Sequence, residues 1–251
     1  LYGGLQYDVE TTAMAEESKK YDLSNLLAIR GEIARGDSIF HDLQGTKEEI
    51  LKIENILKDN KWQVTPYMGK NGTEESFLDM NGKSPRLLHL ATHGFYYTPN
   101  KAENVDYLKG YTDAMSLSGL VMSGGNAAWL GKPLPKGVLG GILSANDIAR
   151  LDLSNTDMVV LSACQTGQGK ATSEGLYGLQ RAFKKAGVGT IVMSLWSVSD
   201  KTTSEFMTTF YERLADKNNG WNKRKAFEEA KEIIRKKHPD PFHWAAFVML
   251  D

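Results

Sequence analysis

Three short, nearly continuous apolar runs, at residues 86–92, 157–163 and 190–196, constrain the fold of this chain more than any other feature. Strands that are covered on both faces of a parallel sheet have this composition. Apolar residues at helical spacing follow at 174–186, 202–215 and 222–237, and residues 245–250 resemble a last strand. The alternation predicts an α/β fold whose helices cover a mostly parallel sheet.

The amino-terminal part of the chain gives weaker signals. Thr46 and Glu49 have the spacing of a capping box, followed by a helical apolar pattern to about Asn60. Residues 62–67 alternate like a half-buried strand, and Thr73 is expected to cap a short helix. Residues 1–42 have no clean period and are predicted to be a connecting annex at the end of an upstream region, before a domain at 43–251. Since the chain begins with Leu1 rather than Met, we expect it to come from a longer polypeptide.

Charge and hydropathy patterns argue against several function classes. Thirty Lys and Arg residues oppose 31 Asp and Glu residues, so the net charge of -1 creates no field that attracts nucleic acid. The sequence contains no apolar run of about 18 residues and no basic segment followed by an apolar one. We therefore predict neither a membrane span nor a secretory signal, and expect a cytoplasmic location.

The chain contains one cysteine, Cys164, which can form neither a disulfide within the chain nor a thiolate metal cage. Free cysteines usually pack in cores, but Cys164 follows an apolar run and enters a turn that contains Gly167. His93 likewise follows an apolar run and precedes Gly94. Loops that follow parallel strands converge at one end of a sheet, so we expect the thiol and the imidazole to meet there.

This pair has the chemistry of a nucleophile and its base. A thiol needs a neighbouring imidazole, and a carbonyl under attack needs two donors, which the backbone N–H groups of Gly94 and Cys164 could supply. His93 could instead be a structural histidine that bonds a carbonyl. His89 and His93 lie four residues apart, but their strand-like segment lacks the glutamate of a zinc-protease helix, so no metal is expected.

At these residues the chain resembles CHAT domains, which are relatives of caspases and separases. The likeness rests on residues 88–95 and 162–167 and extends through 43–46, 174–176, 194–200 and 243–247, about four-fifths of the chain. The resemblance implies a caspase-like three-layer α/β/α sandwich with a mostly parallel central sheet. It also implies peptide-bond hydrolysis without a cofactor, in which Cys164 is the nucleophile, His93 the acid and base, and Gly94 with Cys164 the oxyanion hole.

The sequence departs from true caspases in two ways. Caspases have Gln-Ala-Cys at the nucleophile, whereas this chain has Ser162, Ala163 and Cys164. The dyad residues are 71 positions apart (164 minus 93), compared with about fifty in caspases. The added length is a Gly-rich stretch between Tyr96 and Ile142, which we expect to shape the rim of the site. Caspase-type aspartate specificity is therefore not expected.

Residues 194–200 are the predicted substrate-binding segment. We expect an extended substrate strand beside the sheet edge at 194–198, lined by Trp196 and Ser197. The resemblance to separases implies that Asp200 receives a basic P1 side chain, although Asp200 could also cap a helix through the N–H group of Thr202 or Thr203.

The predicted function is therefore a cysteine endopeptidase that cleaves a protein partner, under the control of an upstream repeat domain or an activator protein. A catalytically silent interaction module with the same fold is the main alternative. An amidase or acyl transferase acting on a small molecule is another, and a deep enclosed pocket would favour it.

Overall fold

The computed structural model describes residues 1–23, 39–96, 115, 117–162 and 173–251, without the side chains of residues 173–176 and 200. Its strands are β1 (Tyr2–Leu5), β2 (Tyr67–Gly69), β3 (Leu87–Leu90), β4 (Gly94–Tyr96), β5 (Ser118–Val121), β6 (Ile142–Ser144), β7 (Met158–Leu161), β8 (Thr190–Ser194) and β9 (Phe247–Leu250). Its α-helices are α1 (Thr11–Ser18), α2 (Gln44–Asp59), α3 (Glu74–Leu78), α4 (Gly125–Trp129), α5 (Ala145–Ile148), α6 (Ser173–Lys185), α7 (Asp200–Ala215), α8 (Lys223–Lys237) and α9 (Pro241–Trp244). Within these described ranges, no helix combines the length and the apolar character that crossing a bilayer requires.

The central sheet has six strands in the order β2-β1-β3-β7-β8-β9. All neighbouring pairs run parallel except β8 and β9, which are antiparallel. The register aligns Leu90 of β3 with Leu161 of β7, and Leu161 with Met193 of β8. The carboxyl ends of these three strands therefore lie side by side at one end of the sheet.

Helices cover both faces of this sheet. Val159 and Leu161 of β7 pack into one core with α3, α5 and α6, whereas Met158 and Val160 pack into a second core with α2, α7 and α8. Because the side chains on both faces of β7 are buried, this strand appears in the sequence as a continuous apolar run. The predicted three-layer α/β/α sandwich is confirmed.

β1 lies inside the central sheet, between β2 and β3. Its Tyr2 pairs with Tyr67 on one side and with Leu90 on the other. Residues 2–5 of the predicted annex thus pack within the same sheet as the predicted domain. The boundary at residue 42 itself stays a prediction.

The capping box predicted at the start of α2 is wrong. The helix begins at Gln44, and the Thr46 hydroxyl donates to the Leu43 carbonyl (2.6 Å) and accepts from the Gly4 N–H group (2.9 Å). Glu49 faces the core and contacts His89. Both side chains that a capping box needs are therefore hydrogen-bonded to other elements, Thr46 to β1 and Glu49 to β3. Thr73 does cap α3, whereas the strand predicted over 62–67 forms only at Tyr67–Gly69.

The stretch between Tyr96 and Ile142 contains short elements that its composition conceals. β5 pairs antiparallel with β4 and β6 in a separate three-stranded sheet, and α4 follows β5. A Cβ atom on Gly119 would lie 2.4 Å from the Leu143 carbonyl oxygen and 2.6 Å from the Phe95 ring. Glycine is needed there for close packing, so it marks a strand rather than a loop. Residues 97–114 and 116 lie outside the described residues.

Candidate active site

His93 follows the last residue of β3 by three positions and directly precedes β4. Its side chain is buried, and its Nε2 atom lies 2.7 Å from the main-chain carbonyl oxygen of His41. A carbonyl can only accept, so Nε2 carries the hydrogen and Nδ1 carries the lone pair of the neutral ring. The carbonyl contact expected of a structural histidine is thus present, and it selects the tautomer in which Nδ1 can act as a base.

Two aromatic rings pack against the imidazole of His93 and against each other. The ring centroid of Tyr7 is 4.9 Å away and that of Phe40 is 5.3 Å away. Both neighbouring rings are almost fully buried. This packing restricts rotation of the imidazole, so the hydrogen bond to His41 and the aromatic contacts together fix its plane.

The main chain at His93 is held by a hydrogen-bonded network. The Tyr7 hydroxyl lies 2.9 Å from the hydroxyl of Thr92, which donates to the Val121 carbonyl. The Val121 N–H group in turn donates to the His93 carbonyl (2.9 Å). Burial raises the pKa of Tyr7 to about 12, although hydrogen bonds with Thr92 and the His93 backbone oppose the shift. The Tyr7 hydroxyl therefore stays protonated near neutral pH and donates to Thr92.

Gly94 is positioned by the β4–β5 ladder. It pairs with Leu120, while the adjacent pair, His93 and Val121, is hydrogen-bonded. Hydrogen-bonded and non-hydrogen-bonded pairs alternate in an antiparallel ladder, so the N–H group of Gly94 points away from β5. In the part of the chain that the structure describes, β4 is an outer strand of its sheet, so this donor is directed off the sheet edge.

A buried polar cluster, formed by Glu49, His89, Ser162 and Tyr211, lies beside the same strand ends. His89 Nε2 is 2.9 Å from Glu49 Oε1, and its Nδ1 is 3.0 Å from the Tyr211 hydroxyl. The Ser162 hydroxyl donates to the same Glu49 oxygen. Burial and the neighbouring Glu49 charge hold the pKa of Tyr211 well above its usual range. The cluster joins α2, β3 and α7 to the residue that follows β7.

His89 and His93, considered above as a metal pair, therefore face different partners. His89 points from β3 toward α2 and α7, whereas His93 contacts the His41 carbonyl beyond the strand. Successive strand residues alternate between faces, and the intervening turn moves His93 out of the sheet.

Cys164 belongs to residues 163–172 and lies outside the described residues, as does the side chain of Asp200. Ser162 is the last described residue before it, and its N–H group donates to the Leu90 carbonyl (3.1 Å). The β3–β7 ladder thus continues one residue beyond β7. At α7, Ser199 is the cap, because its hydroxyl accepts from the Thr202 N–H group (3.3 Å). The N-cap of α7 is therefore Ser199, and the Thr203 N–H group donates to the Ser199 carbonyl (2.9 Å).

Trp196 and Ser197 lie beyond the carboxyl end of β8. The Trp196 indole N–H donates to the Phe242 carbonyl (3.0 Å), and the rings of these two residues lie 6.2 Å apart. Ser197 is exposed. The Leu195 N–H group donates to the Ala246 carbonyl (2.9 Å), so the β9 side of this segment is already paired at that residue. The opposite side faces the carboxyl end of β7.

Sequence reasoning missed the residues that support His93. The Asn126 side chain hydrogen bonds both main-chain groups of Phe40, next to the acceptor residue His41. One signal was present in the sequence, since Asn126 is an amide directly before the apolar residues 127–129. His41 contributes only its main-chain carbonyl, which no side-chain pattern reports.

Comparison with known proteins adds one family and two relatives. A family model described as the CHAT domain matches residues 8–251. The chain is similar to tetratricopeptide repeat protein 28 of Mus musculus (33% identical over 111 residues) and of Homo sapiens (32% identical over 111 residues). Each alignment spans 43% of this chain and only 4% of the relative.

Proposed function

Because this chain belongs to the CHAT domain family, which is related to the caspase-like cysteine peptidases, we propose that it is a cysteine endopeptidase acting on a protein partner. The observation that carries this proposal is the pairing of Leu90 with Leu161. His93 follows the first of these residues by three positions (93 minus 90), and Cys164 follows the second by three (164 minus 161). Equal offsets from paired positions on adjacent parallel strands favour a meeting of the imidazole and the thiol.

In the proposed reaction, His93 Nδ1 accepts the Cys164 proton as the sulfur attacks the substrate carbonyl carbon. The imidazolium then returns this proton to the leaving amine, and the acyl group remains as a thioester. Water, deprotonated by His93, attacks the thioester and releases the acid and the thiol. The Nε2–H bond to the His41 carbonyl strengthens when the ring is charged, so it stabilises the imidazolium.

The Gly94 N–H group is the donor that we propose for the oxyanion, together with the N–H group of Cys164. Its direction, away from β5 and off the edge of its sheet, supports this role. Donors fixed before the reaction stabilise developing charge without reorganising, so they can lower the barrier to acyl transfer substantially.

The proposed substrate is an extended segment of protein lying along residues 194–198, with contacts to Trp196 and Ser197. Exposure of Ser197 and the pairing of Leu195 with Ala246 favour the side of this segment that faces β7. We further propose that Asp200 selects a basic P1 side chain by charge pairing.

Activity would be controlled by an upstream repeat domain or an activator protein. Support comes from the two relatives, which are named as tetratricopeptide repeat proteins and of which this chain matches only a small part. The proposed compartment is the cytoplasm, where a thiol stays reduced. An isolated domain that cleaves as fast as the full-length protein would contradict this regulation.

A small-molecule amidase receives less support. One cavity of about 340 Å³ is bordered by Trp62, Arg86 and Leu87. It lies near the amino end of β3, whereas His93 follows the carboxyl end of this strand. This cavity is therefore separate from the candidate site.

Cleavage of a positional-scanning peptide library by the full-length protein tests the proposal. We expect turnover by the wild type, none by Cys164→Ala, and a loss of about 10²–10⁴-fold in kcat for His93→Ala. Thr156→Val is the control, because it removes a buried hydrogen bond to the Pro85 carbonyl, near the end of the sheet opposite the candidate site, and should keep full activity. Absence of cleavage by the wild type with its partner present would favour the interaction module instead.

A further inference from the structure

The side chain of Asn126 bridges both main-chain groups of one residue, Phe40. Its Oδ1 atom accepts from the Phe40 N–H group (2.8 Å), and its Nδ2 group donates to the Phe40 carbonyl (2.9 Å). An N–H group only donates and a carbonyl only accepts, so the amide has a single orientation. Asn126 is fully buried, which makes both hydrogen bonds costly to lose.

Phe40 and the residue that follows it, His41, each contact His93. The ring of Phe40 packs against the imidazole at a centroid distance of 5.3 Å. The next residue, His41, supplies the carbonyl that accepts from His93 Nε2 (2.7 Å). Fixing the backbone of Phe40 therefore fixes one aromatic neighbour of His93 and the acceptor that sets its tautomer.

Asn126 is itself anchored to the segment that carries the second ring packed against the imidazole. Its N–H group donates to the Tyr7 carbonyl (3.2 Å), and Gly124 donates similarly to Gln6 (3.0 Å). The Tyr7 ring packs against His93, and its centroid also lies 6.4 Å from that of Phe40. One buried amide thus connects the two segments whose aromatic rings pack against the imidazole.

We propose that Asn126 is a positioning residue for His93, acting through the Phe40 backbone to keep the imidazole in the Nε2–H tautomer. The effect on turnover rests on the proposed peptidase function, whereas the effect on the tautomer does not. Asn126 touches neither substrate nor the reacting atoms in this account, so its loss should lower kcat with little change in KM.

The first experiment measures ¹⁵N–¹H correlations of the histidine rings in wild type and Asn126→Ala, with His93 assigned through His93→Gln. We expect one Nε2–H tautomer in the wild type and a mixture in Asn126→Ala. Thr156→Val is the matched control, because it removes another buried bond from a side chain to a main-chain carbonyl, that of Pro85 (2.8 Å), near the opposite end of the sheet. Retention of the wild-type tautomer in folded Asn126→Ala would overturn the proposal.

A second variant covers the case in which Asn126→Ala fails to fold. Asn126→Ser shortens the side chain but keeps a hydroxyl, and it should give the same tautomer mixture because it cannot bridge both Phe40 groups. A single Nε2–H tautomer in folded Asn126→Ser would likewise overturn the proposal.

The activity measurement separates the two hypotheses. Asn126→Ala should lower kcat by about 10–100-fold and change KM by less than about twofold, while Thr156→Val keeps wild-type values. An unchanged kcat would overturn the positioning role. If the wild type shows no turnover, the proposed function fails, and the tautomer measurement still decides whether Asn126 positions His93.

Discussion

Replacing Glu49 by alanine should destabilise the protein far more than a typical loss of a charged residue. The Glu49 carboxylate accepts hydrogen bonds from His89 and Ser162, and its side chain is only 4% exposed. Glu49→Ala leaves two buried donors without their partner. Each unsatisfied donor costs about 1–3 kcal/mol, so the free energy of unfolding should fall by about 2–6 kcal/mol.

The chain offers a matched control in a second Glu–His pair. Glu205 lies 2.8 Å from His238 Nε2 and 2.9 Å from Lys237 Nζ, but the Glu205 and His238 side chains are 22% and 25% exposed. Water can replace the lost partner at such a site, so Glu205→Ala should cost at most about 1 kcal/mol. The two variants remove the same chemical group and differ mainly in burial.

Urea unfolding at neutral pH, followed by far-ultraviolet circular dichroism, measures both costs. Ser162→Ala removes one hydrogen bond but leaves Glu49 paired with His89, so it should cost about 0.5–1.5 kcal/mol. Tyr211→Phe leaves the buried His89 Nδ1 atom without its partner and should cost about 1–3 kcal/mol. Equal costs for Glu49→Ala and Glu205→Ala would refute the reasoning, because burial would then not control the strength of these pairs.

Three further predictions concern residues at the site. The pKa of Tyr7 is raised to about 12, so its contribution to stability is complete below pH about 10 and is lost as the pH rises toward 12. Over this range Tyr7 should lower the free energy of unfolding by about 1.4 kcal/mol per pH unit, and Tyr7→Phe should abolish this part of the decline in urea unfolding. An unchanged slope would contradict the shift in pKa. Gly119→Ala should lower Tm because a Cβ atom would overlap the Leu143 carbonyl. Gly94→Ala should keep Tm, since among the described residues its Cβ atom would meet only the Gly119 carbonyl at 3.7 Å. It should still reduce cleavage, because the added methyl group lies beside the N–H group proposed as the oxyanion donor. Asp200→Ala should lower kcat/KM for peptides with P1 Arg or Lys; an unchanged P1 preference would remove Asp200 from the specificity pocket.

Elements with strong periodicity were predictable from the sequence. The three apolar runs contain β3, β7 and β8; the amphipathic patterns match α6 and α7 to within two residues at each end and contain α8. Continuous burial on both faces produces the first signal, and burial on one face produces the second. The position of His93 just beyond a strand was predictable for the same reason.

Features set by tertiary contacts were not predictable. Glu49 has the spacing of a capping residue, yet a buried histidine 40 positions away takes its carboxylate. The sheet formed by β4, β5 and β6 has strands of only three or four residues, too short to show a period. The support of His93 depends on main-chain groups of Phe40 and His41, and any residue type can supply such groups.

The pH dependence of Cys164 alkylation tests the central claim, that His93 and Cys164 act as one catalytic pair. Cys164 is the single cysteine, so iodoacetamide labelling measured by intact mass reports on this thiol alone. A neighbouring imidazole that takes up the thiol proton makes a cysteine reactive below its usual pKa of about 8.5, so wild type should react well below that pH, and His93→Gln should shift the midpoint back toward about 8.5. Identical profiles for the two proteins would show that the thiol and the imidazole do not interact and would contradict the account.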